Sequence, residues 1–275
     1  GDFESRTGRW IALYRNLAVH DGGWTSPMRL GLTSRSSYED ARRAAEWLTL
    51  EWELGETPAT ALEDAIRERL RALVLYLDPP EGISGAACRL PELSAVLINR
   101  NETAGRRNFD LAHELFHILT WDTIEPDHSD QISWPDTGKR SEQLANNFAS
   151  ALLMPEDSIS SLWSSRSVDD DAALRSWVSE TAERFQVSVP ALLWRLVQLD
   201  MLDKQRVEDI GHWPVVSSVD EDKREMLSRD YMRTLSEGIE AGKISVRRAA
   251  SLLDMTVDDL ADLFEAHSLE VPFDM

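Results

Sequence analysis

The 275 residues carry 29 basic against 49 acidic side chains, a formal net charge of −20 at neutral pH. A surface so acidic repels a phosphate backbone, which disfavours nonspecific duplex binding unless a local basic patch exists; short isolated pairs such as Arg42-Arg43, Arg106-Arg107 and Arg247-Arg248 read as solvated surface. Hydrophobic content is ordinary, no apolar run reaches membrane-spanning length and no signal-peptide pattern opens the chain, so the expectation is a cytoplasmic protein with no membrane partner.

The lone cysteine, Cys88, excludes an internal disulfide framework, and among small and apolar neighbours it reads as a buried structural thiol. The start at Gly1-Asp2, without methionine, points to a processed or trimmed beginning and leaves room for a missing upstream module. The length suits two or three modules better than one.

In chain order, residues 1–36 are poorly defined. Trp10, Leu13, Tyr14 and Leu17 form one helical face before Gly22-Gly23 and Pro27 interrupt it. Ser37 to Leu54 predicts a helix with Ala41, Ala44, Ala45, Leu48 and Trp52 on one side. A second helix is expected from Thr57 to about Arg71, with Thr57 as cap and Pro58 in the first turn. Ala72 to Leu77 reads as a strand ended by Asp78-Pro79-Pro80; Ile83 to Leu90 and Leu93 to Asn99 read as two more, turned at Pro91-Glu92. If the last is an edge strand, the main chain of Ala95 to Asn99 can pair with an extended peptide; a plain structural strand fits as well.

The next segment carries His113-Glu114-Leu115-Phe116-His117. Two histidines four positions apart share one face of a helix, so both imidazoles can reach a single metal ion, with Glu114 at the flank of the same pocket. A zinc so held takes a third protein ligand and leaves a position to water, which the glutamate can deprotonate for attack on a carbonyl. Phe109, Ala112, Leu115, Phe116 and Leu119 give this helix an apolar side to bury. The competing reading is a core helix with two satisfied histidines.

Trp121 to Arg140, rich in Asp, Pro and Ser, reads as a loop bordering the cleft. His128 within it is a candidate for oxyanion or substrate contact, against the simpler reading of a solvated loop histidine. Ser141 to Met154 then forms an amphipathic helix, capped by Ser141, stopped by Pro155 and striped by Ala145, Phe148, Ala149 and Leu152. Glu142 at the edge of that stripe is the candidate third ligand; on position alone, a first-turn glutamate favoured by the helix dipole competes with it. Asn146, one turn on, either orients Glu142 or packs against backbone.

The string Phe109-x-Leu111-Ala112-His113-Glu114-x-x-His117, followed by Glu142-x-x-Ala145-Asn146-x-Phe148-Ala149-x-x-Leu152-Leu153-Met154-Pro155, resembles the ImmA/IrrE family of metallopeptidases. The resemblance implies a zincin-like domain in which His113, His117 and Glu142 bind the metal, zinc or alternatively manganese, and Glu114 is the general base. It also implies the substrate class, a helix-turn-helix repressor protein whose cleavage derepresses a stress-response or mobile-element operon. Phe116 stands where many members have glycine, and its ring must displace whatever packs closely there.

After Pro155 the Ser-rich stretch Ser158 to Ser167 and Asp169-Asp170-Asp171 mark a boundary before a helical region. Ala182 to Ser188 leads into Val189 to Leu199, and Ala249 to Thr256 leads into Val257 to His267, each as helix, turn and second helix. As DNA readers these are poorly equipped: the first offers only Arg195 and Gln198, and the second carries Asp258, Asp259, Asp262 and Glu265.

The expectation is an α+β protein with a poorly defined segment over 1–36 and a zincin-like domain over 37–158. A helix-turn-helix-like module over 159–205 and a C-terminal helical module over 206–275 follow. Its function would be metal-dependent cleavage of a repressor. The alternative is a catalytically weak module that sequesters a repressor or reads DNA.

Overall fold

The computed structural model describes residues 1–18, 28–124, 140–166, 170–213 and 224–273. Before the sheet come α1 (Asp2–Ala18), α2 (Tyr38–Glu51) and α3 (Leu62–Leu70). The strands are β1 (Leu73–Leu77), β2 (Gly85–Leu90) and β3 (Leu93–Asn99). The motif helices are α4 (Ala104–Thr120) and α5 (Arg140–Leu153). There follow α6 (Glu156–Ser165), α7 (Asp171–Arg184), α8 (Val189–Gln198), α9 (Lys204–Ile210), α10 (Arg229–Glu240), α11 (Val246–Leu252) and α12 (Val257–Ala266). This is the mixed α+β architecture expected, and no helix among the described residues is long and apolar enough to cross a membrane.

Strand alternation divides the protein into two cores. Successive side chains of a strand point to opposite faces, so an all-apolar strand is stable only when both faces are covered. In β1, Val74 and Tyr76 join the core formed by α2, α4, α5, α7 and α8, while Leu73, Leu75 and Leu77 join a second core with α1, α10, α11 and α12. Residues as far along as Leu202 and Ile210 belong to the first core, so packing runs across the 158/159 and 205/206 divisions read from sequence. The segment left undefined at the N-terminus opens with a 17-residue helix whose Trp10, Leu13 and Leu17 are buried in the second core.

The sheet order is β1-β3-β2, with β1 parallel and β2 antiparallel to β3. This corrects one expectation. β3 is the central strand, hydrogen-bonded on both sides, so its main chain cannot take a further strand; the edge beside α4 is β2. The hairpin at Pro91-Glu92 is as expected, with Leu90 opposite Leu93 and Glu92 at φ 68°.

Three local expectations also change. Thr57 makes no side-chain cap, because a 3₁₀ turn at Pro58–Thr60 intervenes and α3 starts only at Leu62. Ser141 lies inside α5, whose first described residue, Arg140, is anchored over the Tyr38 ring at 4.1 Å and donates to the Ser36 carbonyl at 2.6 Å. The Ser-rich stretch after Pro155 is mostly helix α6, because Ile159, Leu162 and Trp163 recur at helical spacing and pack on the first core.

The turn between α7 and α8 braces the metal-motif helix. Ser188 caps α8 by accepting from the Ala191 N–H, and the Gln186 carbonyl accepts from Asn108 Nδ2 at 2.9 Å. Gly105, in the first turn of α4, permits this approach: a Cβ there would sit 2.6 Å from the Val187 carbonyl carbon. The α8 side chains considered for a DNA groove face inward. Arg195 is fully buried, donating from Nε to the Met154 carbonyl at 2.9 Å and from Nη2 to Glu46 at 2.9 Å; Gln198 Nε2 donates to Asn147 at 3.0 Å.

Candidate metal centre

Helix α4 starts at Thr103, whose hydroxyl accepts from the Arg106 N–H, and from Phe109 to Thr120 every residue is buried. A helix enclosed all round can carry polar side chains only where partners meet them. Helix α5 supplies those partners across the α4–α5 interface. His113 Nε2 lies 3.1 Å from His117 Nε2 and 3.1 Å from Glu142 Oε2, and Glu142 Oε1 lies 3.5 Å from His117 Nε2. The potential ligand atoms of all three residues fall within 4.8 Å of one another.

This donor set suits a divalent cation. Two imidazoles and one carboxylate, converging with buried histidines, form the three-ligand arrangement that leaves a coordination position open. Asn146 Oδ1 lies 3.0 Å from His113 Nδ1; accepting a hydrogen bond from Nδ1–H, it leaves Nε2 as the lone-pair nitrogen facing the cluster. Asn146 thus contacts His113, a partner that neither sequence reading, Glu142 or neighbouring backbone, names.

The electrostatics are those of a closed site. Burial disfavours the Glu142 carboxylate, but hydrogen bonds and charge from His113 and His117 outweigh it and hold the group well below the usual range. Burial opposes protonation of His117, and the neighbouring Glu142 and Glu114 reverse this, raising it overall. Glu114, almost fully buried, is raised by burial, with both histidines pulling the other way. A raised carboxyl is the property a general base near neutrality requires.

Two elements of this site were not singled out from sequence. Strand β2 closes against Glu114: the Ala87 main chain lies on the side of its carboxylate and favours the charged form, and a Cβ at Gly85 would meet Oε1 at 3.1 Å. A glycine inside a strand marks close approach of another group, so Gly85 carried a usable signal. Asp110, on α4 one turn before Glu114, is fully buried, with Arg106 Nε at 3.2 Å, and burial pushes it up to about 7. Phe116 is accommodated within the core, its ring 5.7 Å from that of His117 and 5.5 Å from that of Phe148. His128 lies outside the described residues.

The family model of the IrrE N-terminal-like domain, Peptidase_M78, matches residues 67–197, from within α3 to the end of α8. The match takes in the sheet, both motif helices and the brace formed by the α7–α8 turn. No curated protein matches the chain. By this match residues 67–197 form an IrrE N-terminal-like domain, in line with the resemblance to the ImmA/IrrE metallopeptidases.

Proposed function

We propose that the protein is a cytoplasmic, zinc-dependent endopeptidase that cuts a helix-turn-helix repressor and so derepresses a stress-response or mobile-element operon. The observation that carries the reading is the convergence of His113, His117 and Glu142 with Glu114 at their side. A divalent metal held there supplies Lewis acidity, polarising the scissile carbonyl and acidifying water. His113, His117 and Glu142 hold the metal, and Asn146 fixes the His113 ring. Glu114 takes the proton of the attacking water and delivers it to the leaving amine nitrogen. The outward edge of β2 offers main-chain groups to an extended substrate, in the role first assigned to β3.

The repressor as substrate follows from the family resemblance and fits the acidic chain, since a DNA-binding partner presents basic surface. Reading of DNA by α8 has no support from its side chains, because Arg195 is enclosed and Gln198 is bonded to Asn147.

The test is incubation with the regulator encoded beside this protein, in zinc or manganese, with Glu114→Gln in parallel. A discrete cut that the variant loses supports the reading. An intact regulator held in a tight complex under both metals would instead establish the sequestering role.

A further inference from the structure

The two histidines of the cluster are held by different means. His113 has a hydrogen-bond partner on its outer nitrogen, Asn146 Oδ1 at 3.0 Å. His117 Nδ1 is buried and, among the described residues, has none. A ligating imidazole ordinarily gives its second N–H to an acceptor, which fixes both tautomer and ring plane. Among the described residues, what meets the His117 ring on this side is the Phe116 ring. Phe116 meets it edge-on, with an interplanar angle of 79°, and Phe148 packs behind Phe116 at 54°. Both phenylalanines are fully buried, so neither ring can swing into solvent.

We propose that the Phe116–Phe148 pair is the positioning element for His117, doing by packing what Asn146 does for His113 by hydrogen bonding. The inference rests on reading His113, His117 and Glu142 as metal ligands. Helix α5 then sets all three: it carries Glu142, it carries Asn146 against His113, and it carries Phe148 against Phe116. Packing restricts rotation of the ring but accepts no proton, so the hold on His117 depends on ring volume and not on polarity. Because Phe148 reaches His117 only through Phe116, the two act in series.

The test is zinc affinity of the full chain, by competition with a chromophoric chelator, for wild type, Phe116→Leu, Phe148→Leu, the double variant, Asn146→Ala and His117→Ala. Each leucine variant is expected to weaken zinc on the order of 10- to 100-fold, the range for supporting groups around a metal ligand. The double variant should fall little further than the worse single. A measurement on wild type covers the case in which a variant fails to fold. In ¹⁵N-histidine spectra of the zinc-loaded protein, the Nδ1 proton of His113 should be shifted downfield by its acceptor and that of His117 should not. Wild-type affinity in both leucine variants, or equal downfield shifts, would overturn the proposal while leaving the ligands in place. Wild-type affinity in His117→Ala would overturn the ligand assignment itself.

Discussion

Gly85 of β2 lies directly against the Glu114 carboxylate: a Cβ on the strand would come within 3.1 Å of Oε1 and 3.2 Å of Cγ. The same methyl would also press on the Leu97 carbonyl at 3.3 Å, so it cannot escape toward β3. Gly85→Ala should therefore displace the Glu114 carboxylate and, on the proposed function, lower kcat by about 10-fold, with Gly85→Val worse, while zinc affinity stays near that of wild type. Steady-state cleavage with parallel zinc titration separates the two. Unchanged kcat in Gly85→Ala would show that Glu114 has room to spare.

Two glycines in helices predict opposite outcomes. A Cβ at Gly105 collides with backbone of the α7–α8 turn, at 2.6 Å from Val187 C and 2.7 Å from Ser188 N, and backbone cannot rotate away. Gly105→Ala should cost about 2 kcal/mol or more. Gly8 in α1 is exposed and has nothing within 4 Å, so Gly8→Ala should gain up to ~1 kcal/mol from helix propensity alone. Urea midpoints of the two variants decide the contrast.

Arg195 and Glu46 predict an asymmetry. Arg195 is fully buried while the Glu46 side chain is one-third exposed at 33%, so the two ends of the ion pair do not suffer equally when it is broken. Glu46→Gln leaves a buried guanidinium without its counter-charge and should cost about 3 kcal/mol. Arg195→Met removes the buried charge and lets Glu46 reach water, but it leaves the buried Met154 carbonyl without its donor, and should cost about 1–2 kcal/mol, less than Glu46→Gln. Equal losses in the two variants would contradict this account.

Asp110 makes stability depend on pH. Burial pushes its carboxyl up to about 7 in the folded protein, above the ordinary carboxylate range, so the unfolded chain loses the proton first as pH rises. Stability from this group is present below about pH 4, declines as pH rises through about 7, and is lost above, at ~1.4 kcal/mol per pH unit of separation. Asp110→Asn should match wild type near pH 4 and exceed it at pH 8, as read from chemical denaturation at the two values.

The motif region was legible because its chemistry is tied to helical spacing. His113 and His117 meet because four residues make one turn, and apolar residues such as Phe109, Leu115, Phe148 and Leu152 said which way each helix faces. The apolar run of β1 and the turn at Pro91-Glu92 were legible for the same local reasons. What escaped depends on pairing between distant segments. Strand order is set by which edges meet, and no local pattern distinguishes β3 as central from β2 as edge. Asn146 could be placed on the right helix, but whether it turns to Glu142 or to His113 depends on how α4 and α5 cross. Arg195 looked like a groove-facing cation because the burial of its helix is imposed by α2 and α5, about 150 and 50 residues earlier.

The second core joins the two ends of the described chain: the Tyr231 hydroxyl donates to the Trp10 carbonyl at 2.8 Å across a separation of 221 residues, and Arg9 pairs with Asp254. Synthesis delivers α1 before the sheet and its partners α10 to α12 well after it, so a nascent chain emerges with one side of its sheet incompletely covered. Leu73, Leu75, Leu77, Leu93 and Ala95 stay without their cover until residues 227–264 have left the ribosome, although the metal-motif helices have long been made. A chain released early would keep His113, Glu114, His117 and Glu142 on an incomplete fold that presents an apolar sheet face to its neighbours. Loss of α10 to α12 should therefore register first as aggregation and dependence on chaperones, before any defect in chemistry.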